Sequence, residues 1–178
     1  MESAPRTMAE AAADADTVGS RLRCAGTFDI RCGSNRFARL LALTLRLPKE
    51  GSNLSTTLRI ASMPDGGERW HRRFGASALT TTQRTLDNGW MSEQFQCLEL
   101  RFRVDRTPVS VHHVQMNAAC RFASLRVPLP RWLAPQVAGS ETATSAPNRI
   151  RVQVEVRMPL LGVLLAYDGV VDMLEPWP

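Results

Sequence analysis

The chain has 178 residues and 19.7 kDa, enough for one ordinary domain with a real core. Hydrophobic residues make up 44% and charged residues 22%, and no apolar run approaches the ~20 residues of a spanning helix, which argues against disorder and against a helical membrane protein. Of 22 basic residues only Lys49 is lysine, and the net charge is +5. The arginines are scattered from Arg6 to Arg157 and there is one tyrosine, so basic clusters interleaved with aromatics, the mark of a nucleic-acid surface, are missing.

Residues 1–22 carry acids and no apolar signal core, which predicts a loose tail on a cytoplasmic protein, with a single β-barrel domain over residues 23–178. Thr27 to Arg31 reads as a first strand broken by Cys32-Gly33. Ser34 can cap a helix, since Phe37, Leu40, Leu41 and Thr44 follow at three- and four-residue spacing, and Pro48 and Gly51 end it. From there the period is two. Leu54 to Ile60 alternates, Pro64-Asp65-Gly66-Gly67 turns, and Glu68 to Phe74 is extended. Leu79 to Leu86 and Trp90 to Gln96 flank the hairpin signal Asp87-Asn88-Gly89.

Leu98, Leu100, Phe102 and Val104 then face one way, and Glu99, Arg101, Arg103 and Asp105 the other. Val109 to Phe122 is long enough to be bent or bulged. The prolines of 128–135 exclude a central strand and predict an irregular rim segment with Trp132 packed inward as a lid. Gln136 to Asn148, polar and small, reads as a loop. Ile150 to Met158 is a second amphipathic strand, and Gly162 to Val171 a last one.

About nine strands with short connections and no helices between them predict an antiparallel sheet closed into a barrel. The fold expected is all-β with one short helix: a lipocalin-like antiparallel barrel enclosing an apolar cavity. Charged residues alternating with a single apolar set exclude an outer-membrane barrel.

Several stretches together resemble the bacterial family of domain of unknown function 4166, often fused behind a saccharopine-dehydrogenase-like reductase. They are Gly67-Glu68-Arg69-Trp70-His71-Arg72-Arg73-Phe74-Gly75, Leu100-Arg101-Phe102-Arg103, Val127-Pro128-Leu129-Pro130-Arg131-Trp132-Leu133-Ala134-Pro135, Met158-Pro159-Leu160-Leu161-Gly162 and Tyr167-Asp168-Gly169. The resemblance runs from about Gly26 to Val171 and implies no particular activity. Without a GxGxxG fingerprint, nicotinamide binding is not implied. Where the family pattern has an Arg-like or variable residue this chain has Asp168, which singles that acid out.

Candidate chemistry follows from parity. Four cysteines, Cys24, Cys32, Cys97 and Cys120, have neither CxxC nor zinc-ligand spacing and read as reduced structural thiols. His112 and His113 are adjacent on a strand, face opposite ways and cannot share a metal, so no metal and no cofactor is expected. His112 shares parity with Val114, Met116, Ala118 and Cys120 and is expected inside, as a base or as a satisfied core histidine. Asp168 shares a face with Leu164, Ala166 and Val170, which predicts a raised pKa or an ion pair with Arg72 or Arg73. Glu93 alternates with Phe95 and is a third inward candidate. Trp70, Arg72 and Phe74 share one parity, and with Trp132 and Tyr167 they form the expected ligand-binding set.

The function expected is a cofactor-independent cyclase or isomerase of a largely nonpolar biosynthetic intermediate, with His112, Asp168 or Glu93 moving a proton. The alternative is a non-catalytic binding or carrier module working with a separate reductase. Expected partners are a small hydrophobic ligand and, as an open option, a second copy of the chain, without nucleic acid or a membrane span.

Overall fold

The computed structural model describes residues 21–174. Eleven strands follow one another: β1 Arg21–Cys32, β2 Gly51–Ser62, β3 Glu68–Phe74, β4 Ser77–Thr85, β5 Met91–Phe95, β6 Leu98–Arg106, β7 Ser110–Phe122, β8 Leu125–Pro128, β9 Gln136–Ala143, β10 Arg149–Met158 and β11 Gly162–Leu174. One helix, α1, spans Arg36–Thr44 between β1 and β2. Every pairing is antiparallel. The strands run β6-β5-β4-β3-β2-β1-β11-β10-β9-β7, and β7 pairs back onto β6, so ten strands close a barrel and β8 lies outside on β7. The tail expected over 1–22 lies outside the described residues up to residue 20, while Arg21 and Leu22 already belong to β1.

Both clean amphipathic strands keep the expected parity. Leu100, Phe102 and Val152 are buried and Val154 and Val156 half-buried, whereas Arg103 and Arg151 are exposed. The two strands missing from the sequence reading are β8 and β9. β9 lies in the stretch read as a loop, because Ala138, Gly139, Ser140 and Thr142 offer too little apolar contrast to reveal alternation. β8 is a four-residue hairpin arm that ends at Pro128, consistent with proline being tolerated at a sheet edge.

Side chains fill the barrel. One cluster unites β1, β2, β3, β10 and β11 through Phe28, Ile30, Ile60, Trp70, Phe74, Ile150, Leu165 and Tyr167. Phe28 meets Phe74 edge-on at 5.6 Å between centroids and Tyr167 at 5.7 Å. Gly169 makes room for that ring, since a Cβ there would stand 2.5 Å from Phe28 Cγ. A second cluster holds Leu100, Phe102, Ala118 and Ala134.

α1 is capped by Asn35, one residue beyond the expected Ser34; its carboxamide oxygen accepts from the Phe37 amide at 2.9 Å. The helix packs on β11 with Ala38 and Ala42 buried. The segment after it closes one end of the barrel: Gln96 Nε2 of the β5–β6 turn donates to the Leu45 carbonyl at 3.1 Å, and the Lys49 amide donates to Ser77 Oγ at 3.4 Å.

Candidate functional site

The interior is apolar except for a band of polar groups, Arg72, Thr81, Glu93, His113, Glu141 and Tyr167, contributed by six strands. β3 carries Trp70, Arg72 and Phe74 on one face, as the shared parity predicted, and that face, left open by the sequence, is the inner one. Arg72 stacks over Trp70, 5.1 Å from the ring centroid. Its guanidinium donates to Thr81 Oγ1 of β4 at 2.8 Å and reaches Glu93 of β5 at 3.4 Å. Glu93 therefore faces inward, and it meets the cation that the ligand-binding set contained. Tyr167 of β11 stands against Phe74 at 5.3 Å, and burial raises its phenol above the ordinary value despite the nearby Arg72 charge.

His112 is the first correction, because its side chain is exposed on the outer wall, bonded to Ser110 Oγ at 3.0 Å. The cause is a bulge: Arg101 pairs with Asn117 but Phe102 pairs with Gln115, leaving Met116 as an extra residue. Parity flips there, so Ala118 is inside with Val111 and His113 rather than with His112. His113 meets Glu141 of β9, with Nε2 3.6 Å from Oε1, and packs edge-on against Phe102 at 6.2 Å. His113 Nδ1 and Glu141 Oε2 are both buried without a hydrogen-bond partner. Beside them, burial first and the Glu141 charge second push the Cys24 thiol up to about 12.

Neither His113 nor Glu141 was singled out from sequence. The length of Val109 to Phe122 allowed for a bulge, but its position is set by the partner strand β6, and Glu141 sat in the presumed loop. The one available signal was the alternation of Val137, Gly139 and Glu141 against Ala138, Ser140 and Thr142.

Asp168 is the second correction. It does share a face with Leu164 and Ala166, but that face is the outer one, and α1 packs on β11, which accounts for apolar residues pointing outward. Its partners are Arg151 at 2.6 Å and Gln153 at 3.1 Å, neither Arg72 nor Arg73. Arg151 chiefly, with Gln153, holds its carboxyl below the ordinary value rather than above it. Asp168→Asn is accordingly expected to cost no more than about 1 kcal/mol of stability, read as a denaturant midpoint, because the pair is solvated. A loss of several kcal/mol would return Asp168 to the core.

Trp132 is the third correction, being 62% exposed. The turn from Pro130, closed by the Leu133 and Ala134 amides donating to the Pro130 carbonyl at 2.9 Å, buries Ala134 against Phe102 and leaves the indole outside. The segment is irregular, as the prolines required. Two hollows of about 370 and 210 Å³ open on the outer wall. His112, Ser140, Gln153 and Asp168 line the first, and Asp29, Asn53, Arg151 and Asp168 the second.

No curated protein and no solved structure matches the chain. A family model described as Domain of unknown function (DUF4166) matches residues 15–171, spanning every strand that contributes to the interior band, and the chain belongs to that family.

Proposed function

We propose that the barrel binds a small, largely nonpolar biosynthetic intermediate and acts on it as a cofactor-independent cyclase or isomerase. The observation that carries the reading is the His113–Glu141 pair, whose Nδ1 and Oε2 are buried with no protein partner. An unpaired buried polar atom costs about 1–3 kcal/mol, so such a pair is best understood as waiting for a polar group that a ligand or water supplies. His113 and Glu141 then exchange a proton with the ligand, and Arg72, backed by Glu93 and Thr81, orients a carbonyl or carboxylate. Trp70, Phe74 and Tyr167 enclose the apolar remainder.

A carrier is the second reading, and one observation favours it: Arg72, Glu93 and Thr81 already satisfy one another, as a purely structural network would. Native mass spectrometry of the purified protein, with organic extraction of what copurifies, tests the shared premise. An apolar compound should accompany wild type and Asp168→Asn and be depleted in Arg72→Met. Equal retention in all three would remove Arg72 from the site, and recovery of no compound even after incubation with a total lipid extract would overturn the binding reading.

A further inference from the structure

The two ends of the barrel differ in kind. Antiparallel alternation puts α1 and the β3–β4, β5–β6, β7–β8 and β10–β11 turns at one end, and the β2–β3, β4–β5, β6–β7 and β9–β10 turns at the other. The second end carries turn aspartates, Asp65 and Asp87. At the first end the connection over residues 33–50 carries one acid, the exposed Glu50, against Arg36, Arg39, Arg46 and Lys49, and the turns at 75–76, 96–97, 123–124 and 159–161 contain none.

The helix at that end is turned the unusual way round. Its small residues Ala38 and Ala42 face the protein, and its large apolar ones, Phe37 (71% exposed), Leu40 (62%) and Leu43 (65%), face solvent. These three follow at i, i+3 and i+6, one stripe of the helix, with Arg36 and Arg39 beside it. A helix serving only the core would bury its leucines and expose its alanines. The β10–β11 turn adds Leu160 (74%), and the β7–β8 hairpin adds the exposed Phe122 and Leu125.

We propose that this end of the barrel docks on an anionic lipid bilayer, with α1 lying in the interface, its stripe inserted shallowly and its arginines on the phosphates. The charge decides the occupant. An apolar stripe alone fits any hydrophobic partner, but a stripe fringed by arginines, with four basic residues against the single acid Glu50 in the surrounding connections, matches a surface that is both apolar and negative. Among the described residues no helix is long and apolar enough to cross a membrane, so this is attachment at the surface. The inference is independent of what the lumen binds.

The test is co-sedimentation of the full chain with vesicles of phosphatidylcholine containing increasing phosphatidylglycerol, alongside Phe37→Ser/Leu40→Ser/Leu43→Ser and Arg36→Gln/Arg39→Gln/Arg46→Gln. Circular dichroism checks the fold, and analytical ultracentrifugation the oligomeric state. Wild type should pellet with phosphatidylglycerol vesicles and stay soluble with pure phosphatidylcholine. Each triple variant should bind about tenfold or more weakly while remaining folded. In Phe37→Trp the indole emission should shift to the blue on adding the anionic vesicles. Wild type that stays soluble with every vesicle, or a serine variant that pellets as well as wild type, would overturn the proposal. A wild-type dimer that the serine variant converts to monomer, without vesicle binding by either, would overturn it in favour of an interface between two copies.

Discussion

Glu99→Ala should lower the melting temperature at neutral pH by about 6–20 °C. Glu99 is on the outward parity of β6, yet it is 1% exposed because three arginines cover it. Arg101 Nε donates at 2.7 Å, Arg126 Nε at 2.8 Å and Arg121 Nη1 at 3.0 Å. Arg126 belongs to β8, so this carboxylate fastens the outside strand to the barrel wall. Removing one partner of a buried ion cluster costs about 3–5 kcal/mol, and in a chain of this size each kcal/mol moves the melting temperature by about 2–4 °C. Burial alone would raise the Glu99 carboxyl, but Arg126 and Arg101 outweigh it and bring the pKa below the ordinary 4.5. A folded-state pKa below the unfolded one stabilises the protein fully above the unfolded value, and the contribution fades as pH falls through the folded value. The difference between wild type and Glu99→Ala should therefore be large at pH 7 and shrink progressively below pH 4.5. A melting temperature equal to wild type at pH 7 would show that the arginines are solvated in solution.

The second large effect concerns catalysis. In the reading of the interior as a proton-transfer site, Glu141→Gln keeps the shape of the side chain and removes its capacity to hold a proton, so turnover of the copurifying compound should fall by about 10²–10⁴-fold. His113→Gln should fall comparably. His112→Ala should leave turnover unchanged, since its imidazole is on the outer wall with the Met116 bulge between it and the inward register. Loss in the His112 variant with retention in the Glu141 variant would move the chemistry to the outer hollow.

How much of this was legible in the sequence depended on contrast between neighbouring residues. Leu98 to Asp105 and Arg149 to Met158 alternate leucine or valine with charge, which leaves one choice of face, and both are oriented as read. Trp70, Arg72 and Phe74 were legible as one face but not as the inner one, because a charged Arg72 lies between the two aromatics, and Glu93 beside Phe95 was open between the interior and solvent until Arg72 reached it. Where the contrast fails, parity fails: β9 alternates alanine and glycine with serine and threonine, so neither the strand nor its inward Glu141 stood out. His112 was lost to a one-residue insertion in a ladder, which depends on β6 as much as on β7. Asp168 was misplaced because a face of Leu164 and Ala166 looks interior whether a barrel or a helix covers it. Trp132 followed size, whereas a tight turn selected Ala134 for the buried position.

The central claim is that the inward His113–Glu141 pair moves protons on a bound apolar molecule. It is tested most directly by incubating the protein with its copurifying compound in deuterium oxide and reading the compound by mass spectrometry. Wild type should install solvent deuterium at carbon, and Glu141→Gln should retain the compound yet leave its mass unchanged. Deuterium uptake undiminished in Glu141→Gln and in His113→Gln, or no uptake by a wild type that holds the compound tightly, would contradict the claim, the latter identifying a carrier.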